Sequence, residues 1–97
     1  MKTLQEIKNI LELHKEEISR AFGLKEIGLF GSVVRREQKE TSDIDILIEP
    51  AKPMGLLEFV SLKNYLSDIL GVKVDLVMKR ALKPRIGKRI LKEVLYV

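Results

Sequence analysis

The chain has 97 residues, of which 45% are hydrophobic and 33% are charged, and it carries a formal net charge of +4. These values are typical of one globular domain over residues 1–97, and they exclude a disordered chain or a catalytic domain with a separate substrate domain. The lack of cysteine excludes disulfides, thiolate metal sites and cysteine nucleophiles. No signal-peptide pattern and no apolar run of membrane-spanning length is present, so we expect a cytoplasmic protein with no membrane partner.

Hydrophobic periodicity predicts helices that alternate with strands. In chain order, the pattern predicts a helix over 3–22, a strand over 26–30, a short helix over 32–37, a strand over 43–49, a helix over 55–70, a strand over 72–78 and a last helix over 86–95. The first helix has a capping-box pair, Thr3 and Glu6, and a C-terminal stop at Gly23. Helices in this order cover the faces of a small sheet. The predicted fold class is therefore α/β (α+β), with a mixed sheet of about three strands flanked by helices.

The first candidate site feature is Gly31-Ser32, at the predicted junction between a strand and a short helix. A glycine there allows a ligand to approach the backbone, and the start of a helix presents free N–H groups to phosphate. The alternative is an ordinary turn with Ser32 as the N-cap, which is the commoner use of this dipeptide. The dipeptide alone does not separate the two interpretations.

The second feature is a pair of aspartates, Asp43 and Asp45, two residues apart on a predicted strand. Both carboxylates would project from one face, about 7 Å apart along the chain. Two anions this close repel each other unless cations lie between them, and magnesium prefers such hard oxygen ligands. Aspartate is disfavoured in strands, which weakens the alternative of a solvent-facing strand edge but does not exclude it.

The third feature, Asp75, interrupts the apolar run of the next predicted strand and shares a face with Lys73. A lone aspartate in a strand is more often a surface residue. Asp75 matters in combination with Asp43 and Asp45, because three aspartates on two strands that could lie side by side would form an acidic cluster. A two-metal site for phosphoryl transfer requires such a cluster.

These residues together resemble a known superfamily. Gly31-Ser32, ten intervening residues and Asp43-Ile44-Asp45 match the GS-x10-DxD signature of the DNA polymerase β-like nucleotidyltransferases, and Asp75 matches their third carboxylate. Within that superfamily, the chain resembles the minimal nucleotidyltransferases over essentially its whole length. The resemblance is carried by the stretches 28–37, 42–48, 74–77 and 90–96. These small proteins are antitoxins encoded beside HEPN-domain ribonuclease toxins.

The resemblance implies a polymerase β-like fold in which Asp43, Asp45 and Asp75 bind two Mg²⁺ ions and act in catalysis, while Gly31 and Ser32 hold the triphosphate of ATP. It also implies transfer of AMP from ATP to a tyrosine of a HEPN toxin. The chain would then be the antitoxin of a type VII toxin–antitoxin pair and would form a hetero-oligomer with the toxin. One position departs from the family pattern, because many relatives have glycine where this chain has Arg36.

Basic residues near these motifs have two interpretations each. Arg35 follows the Gly-Ser turn closely enough to contact a nucleotide phosphate, and a solvated helix face is the alternative. The cluster around the start of the last helix could be a nucleic-acid patch, and it consists of Lys79, Arg80, Lys83, Arg85, Lys88 and Arg89. Because no aromatic residues interleave there to stack bases, we interpret the cluster as a solvated face and expect no nucleic-acid partner.

Two other functions stay open from the sequence. The chain could be a binding antitoxin that occludes its toxin and whose catalysis is dispensable, in which case an Asp45→Ala variant would still protect cells. It could also transfer a nucleotide to a small molecule such as an aminoglycoside. Relatives with that activity generally carry a further substrate domain, which 97 residues cannot supply.

Overall fold

The computed structural model describes residues 2–97, and the elements of that part alternate between helix and strand. In chain order they are α1 Leu4–Phe22, β1 Leu24–Phe30, α2 Ser32–Arg35, β2 Ile44–Pro50, α3 Leu56–Leu70, β3 Val74–Met78, α4 Pro84–Glu93 and β4 Leu95–Tyr96. A 3-10 turn, Lys79–Ala81, connects β3 to α4. None of the helices in residues 2–97 combines the length and the apolar character needed to cross a lipid bilayer.

Local side-chain chemistry sets both ends of α1. The Glu6 N–H donates to Thr3 Oγ1 and the Thr3 N–H donates to Glu6 Oε1, each over 3.1 Å, which confirms the predicted capping box. Gly23 ends the helix in the left-handed region, at φ 63° and ψ 47°, and its N–H donates to the Ser19 carbonyl. These contacts satisfy backbone groups that the helix itself leaves unpaired.

The four strands form one sheet in the order β3-β2-β1-β4. β1 is antiparallel to β2 and to β4, whereas β2 and β3 are parallel. A parallel pair needs a long crossover connection, which α3 provides. The prediction of a mixed sheet flanked by helices is confirmed.

The prediction of about three strands is wrong by one, because β4 lies within residues that we assigned to the last helix. That helix ends at Glu93, and Val94 is already extended at φ −58° and ψ 135°. Leu95 then pairs with Leu29 on the edge of β1 that faces away from β2. This pairing satisfies backbone groups that would otherwise remain free along β1. Short apolar runs such as this one fit a helix or a strand equally well.

One face of the sheet forms the core. The alternation in β2 directs Ile44, Ile46 and Ile48 into it, and each is at most 3% exposed. The helices that cover this face contribute Ile7, Leu11 and Ile18 from α1 and Leu62, Leu66 and Leu70 from α3. The other residues of β2 point to the opposite face, so Asp45 lies on the side of the sheet away from the core.

Candidate active site

The centre of the site is a pair of aspartates on neighbouring strands. β2 and β3 run parallel and in register, so Asp45 lies directly beside Asp75. Adjacent strands are about 4.8 Å apart, and residues in register on such strands share a face. Asp45 is half-buried, whereas Asp75 is exposed. The structure thus brings together two of the three predicted carboxylates.

The electrostatics of Asp45 reflect this crowding. Partial burial and the adjacent Asp75, through its charge and a hydrogen bond, are the main causes that raise the pKa of Asp45 from 3.8 to about 6. The charge of Asp43 acts in the same direction, and the positive charge of Arg35 opposes it. A carboxylate held among like charges in this way is poised to accept a cation.

Asp43 occupies a different position from the other two aspartates. It immediately precedes β2 and is half-buried, and it acts on Asp45 through its charge alone. Within residues 2–97, no group of three or more His, Asp or Glu side chains is arranged to hold a metal ion. Magnesium is usually held by one or two carboxylates together with substrate phosphates, so the carboxylate donors here fit an ion that arrives with a nucleotide. The three-aspartate metal set remains a prediction.

Gly31 lies against the carboxylate of Asp45. A Cβ added at Gly31 would overlap the Asp45 Oδ2 atom, so no larger residue fits there without a shift. The glycine also has φ 77° and ψ −150°, a region that is essentially restricted to glycine. The Gly31-Ser32 turn therefore needs its glycine for two reasons, and it meets the aspartate pair at the end of β1.

Ser32 opens α2 and is half-buried. The N-cap of this helix is Gly31, whose carbonyl accepts hydrogen bonds from the N–H groups of Val34 and Arg35. The alternative that Ser32 serves as the N-cap is therefore wrong, and no side-chain hydrogen bond caps α2. The role of the Ser32 hydroxyl in holding a phosphate remains a prediction.

Arg35 connects the turn to the C-terminal end of α4. Its Nη1 donates to both carboxylate oxygens of Glu93, at 2.9 and 3.1 Å, and its Nε donates to Glu37 at 3.2 Å. The hydrogen bonds to Glu93 and Glu37 raise the pKa of Arg35. Glu93 also accepts a hydrogen bond from the Gly31 N–H at 2.6 Å. We did not predict a role for Glu93, although it is the one acidic residue between Lys79 and Val97.

A cavity of about 230 Å³ opens beside the Asp45 carboxylate. One wall is formed by α4, and the other by the end of β1 and the Gly31-Ser32 turn. The lining residues are Phe30, Gly31, Arg35, Asp45, Ile86, Arg89, Ile90 and Glu93. The lining thus combines the carboxylates of Asp45 and Glu93 with two arginines and an apolar wall, which is suitable for a ligand with both phosphate groups and an apolar part.

Comparison with known proteins identifies the family of the chain. A family model described as the nucleotidyltransferase domain matches residues 11–97. The protein adenylyltransferase MntA of Thermococcus cleftensis is 53% identical over 97 residues, which cover 100% of this chain and 98% of that protein. These findings confirm the predicted resemblance and the prediction that the chain is a nucleotidyltransferase.

Solved structures agree with the sequence comparison. A structure assigned as a minimal nucleotidyltransferase superposes with a TM-score of 0.84 at 34% identity, covering 97% of this chain and 95% of that one. A chain from a toxin–antitoxin complex with AMP-PNP superposes with a TM-score of 0.72 at 27% identity, covering 93% of this chain and 70% of that one. A chain from a complex of the tri-AMPylated Shewanella oneidensis HEPN toxin with MNT antitoxin superposes with a TM-score of 0.67 at 25% identity. The superposition covers 97% of this chain and 71% of that one.

Proposed function

Because the chain belongs to the nucleotidyltransferase domain family, we propose that it transfers AMP from ATP to a tyrosine of a HEPN-domain toxin and so acts as the toxin's antitoxin. The observation that carries the proposal is the register pair of Asp45 and Asp75, with Gly31 packed against the same carboxylate. The protein adenylyltransferase relative supports AMP as the transferred group. The AMP groups on the toxin of the related complex support a toxin as the acceptor.

The proposed reaction requires an anionic nucleotide to sit over a cluster of carboxylates. Asp43, Asp45 and Asp75 would hold two Mg²⁺ ions, because carboxylate oxygens are donors that this ion prefers. When bound, the ions neutralise the triphosphate and lower the pKa of the attacking hydroxyl. The raised pKa of Asp45 supports this assignment, since a cation relieves the repulsion that raises it.

The remaining roles fall to residues of the Gly31-Ser32 turn and its neighbours. The turn would hold the β- and γ-phosphates with its backbone and the Ser32 hydroxyl, and Arg35 would contact a phosphate through its guanidinium. The tyrosine oxygen of the toxin attacks the α-phosphorus and forms a new P–O bond. The bond between the α-phosphorus and the oxygen that bridges it to the β-phosphate breaks. Pyrophosphate leaves, and the tyrosine proton passes to Asp75, which is exposed and can release it to solvent.

The test of this proposal is a transfer assay with ATP labelled at either the α- or the γ-phosphate. The protein is incubated with Mg²⁺ and a HEPN-domain protein from the same organism. We expect label on the toxin from α-labelled ATP and none from γ-labelled ATP, and we expect Asp45→Ala and Asp75→Ala to abolish it. Label that appears from the γ-phosphate, or that survives both substitutions, would contradict the proposal.

A binding antitoxin that acts by occlusion is the second candidate, and exposed apolar side chains favour it. Leu56 and Leu57 are adjacent at the start of α3 and are each more than 75% exposed, as is Leu13 on α1. Large exposed apolar side chains are compatible with a protein partner. The two functions differ in what the aspartates contribute. If Asp45→Ala binds the toxin and protects cells as well as the unsubstituted chain does, occlusion is the function.

A further inference from the structure

The carboxylate of Glu93 accepts hydrogen bonds from two groups beside the candidate site, the Gly31 N–H and the Arg35 guanidinium. The Gly31 N–H donates to its Oε2 atom over 2.6 Å, and Arg35 Nη1 donates to its Oε1 atom over 2.9 Å. Along the chain, Glu93 is 62 positions from Gly31 and 58 positions from Arg35. The Glu93 side chain is only 24% exposed and the Arg35 side chain is 45% exposed, so the hydrogen bond from Gly31 is more shielded from water than the ion pair with Arg35.

The strand register explains why Glu93 reaches the Gly31 N–H. β4 pairs with β1 so that Tyr96 lies opposite Gly28 and Leu95 opposite Leu29. Continuing this antiparallel register by two residues places Glu93 opposite Gly31. The backbone of Glu93 is by then helical, so its side-chain carboxylate accepts the hydrogen bond that a strand carbonyl would otherwise accept. Glu93 therefore completes the edge of β1 where β4 stops.

The same carboxylate restricts the guanidinium of Arg35. Glu93 holds Nη1 and Glu37 holds Nε, so two of the three nitrogens are fixed by acceptors on different segments. In this orientation, the charge of Arg35 acts on Asp45 and lowers its pKa against the effect of the other aspartates. Without Glu93, only Glu37 holds the Arg35 guanidinium, so the side chain can populate more rotamers, and the end of α4 loses its hydrogen bonds to the turn.

We propose that Glu93 is a positioning residue for nucleotidyl transfer, which holds the Gly31 backbone and the Arg35 guanidinium in the arrangement that receives the triphosphate. This inference rests on the proposed function, because it assigns Arg35 to the nucleotide. Its physical basis is preorganisation, since a donor that is already oriented loses less freedom when the transition state forms. The effect should therefore fall on turnover more than on the ground-state affinity for ATP.

The first test compares Glu93→Gln with the unsubstituted protein in the AMP-transfer assay. Glutamine keeps the size and one acceptor oxygen of the side chain but removes its charge. We expect kcat to fall about tenfold, with KM for ATP changed by less than about threefold. Glu16→Gln is the matched control, because it removes an ion pair of the same 2.9 Å length with Arg20 on α1. We expect that control to leave both constants unchanged.

The second test is a double-mutant cycle with Arg35→Ala. If Glu93 acts through Arg35, Glu93→Gln should lower kcat by no more than about threefold in the Arg35→Ala background. An equal loss of kcat in both backgrounds would overturn the proposed action through Arg35, and a Glu93→Gln variant with unchanged kcat would overturn the proposal as a whole. A third contrary result is a lower KM with kcat retained, because Glu93 would then be a competitor of the phosphates rather than a positioning residue.

The Gly31 amide signal tests the hydrogen bond to Glu93 independently of AMP transfer. A short hydrogen bond to a carboxylate shifts that amide proton downfield in the NMR spectrum, and Glu93→Gln should move it upfield while Glu16→Gln does not. An unsubstituted protein that transfers no AMP overturns the proposed function and with it the role of Glu93 in transfer. An unsubstituted protein that transfers AMP, together with an equally active Glu93→Gln variant, overturns the Glu93 inference alone.

Discussion

The α-carbon of Gly31 packs directly against the carboxylate of Asp45, and a methyl group on it would overlap the Asp45 Oδ2 atom. This contact brings the end of β1 and the start of β2 together at one point. It also means that the Gly31-Ser32 turn and the acidic pair cannot be changed independently. Substitution at either residue should therefore affect both the fold and the chemistry of the site.

Gly31→Ala tests this contact. The added methyl group displaces the Asp45 carboxylate, and alanine is also strained at φ 77° and ψ −150°. We expect the free energy of unfolding to fall by about 1–3 kcal/mol and AMP transfer to fall by about 100-fold or more. Denaturant unfolding and the transfer assay measure the two effects. Gly55→Ala is the control, because a Cβ there meets only Glu58 Oε1 at 3.8 Å, and a Gly31→Ala variant as active as that control would contradict the interpretation.

The pKa of Asp45 predicts how the stability of the metal-free protein depends on pH. Because the folded pKa is raised from 3.8 to about 6, the contribution of Asp45 to stability is full below about pH 4 and is lost as pH rises through 6. After allowance for solvent screening of this partly exposed group, the loss should be about 1 kcal/mol. Thermal unfolding in EDTA between pH 4 and pH 7 measures it.

The control for that pH dependence is Asp45→Asn, which cannot ionise. Its stability should not show the loss between pH 4 and pH 7, and at pH 7 without metal it should unfold at a higher temperature than the unsubstituted protein. Mg²⁺ with a non-hydrolysable ATP analogue should stabilise the unsubstituted protein at pH 7 and not the variant. Parallel pH profiles for the two proteins would show that Asp45 carries no raised pKa.

Asp75→Asn should impair transfer with little change in stability. Asp75 is exposed, so the amide is tolerated, but it can neither accept a proton nor serve as an anionic metal ligand. We expect kcat to fall by about 100-fold or more. Single-turnover transfer measures this value. Asp68→Asn, an exposed aspartate on α3, is the matched control and should remain fully active.

The backbone conformation of Arg36 lowers the stability of the fold, and Arg36 lies at the position where many relatives have glycine. It ends α2 in the left-handed region, at φ 59° and ψ 34°, and is the one non-glycine residue with positive φ in the described part of the chain. Arg36→Gly should raise the free energy of unfolding by about 0.5–1 kcal/mol and leave transfer active. Arg36→Lys keeps both the charge and the strained backbone, so its stability should not change. A destabilised Arg36→Gly variant would show that the arginine side chain stabilises the turn.

Local patterns were sufficient to predict much of the fold and the strands that carry Asp45 and Asp75. Strand alternation placed Asp45 opposite the buried isoleucines of β2, and it placed Asp75 on a strand that could lie beside it. These predictions succeeded because a two-residue period sets the face of a strand whatever surrounds it. The capping box at Thr3 and Glu6 is equally local, since its two residues are three positions apart.

The features that could not be predicted depend on contacts between distant segments. β4 forms because the edge of β1 needs a partner, and nothing in the residues 94–96 alone separates a strand from the last turn of a helix. The contact of Glu93 with Gly31 follows from that pairing, so it was also out of reach. The strand register of Asp45 and Asp75 likewise depends on the parallel pairing of β2 and β3, which sequence periodicity does not specify.

The most direct test of the account is whether the acidic pair is needed to silence a HEPN toxin. The ribonuclease activity of the toxin is measured after incubation with ATP, Mg²⁺ and either the unsubstituted protein or the Asp45→Asn/Asp75→Asn double variant, each then removed from the toxin. We expect the toxin treated with the unsubstituted protein to carry AMP on a tyrosine and to stay inactive, and the toxin treated with the variant to be unmodified and active. A toxin that regains full activity after either treatment, or that is silenced equally by both proteins, would contradict the account.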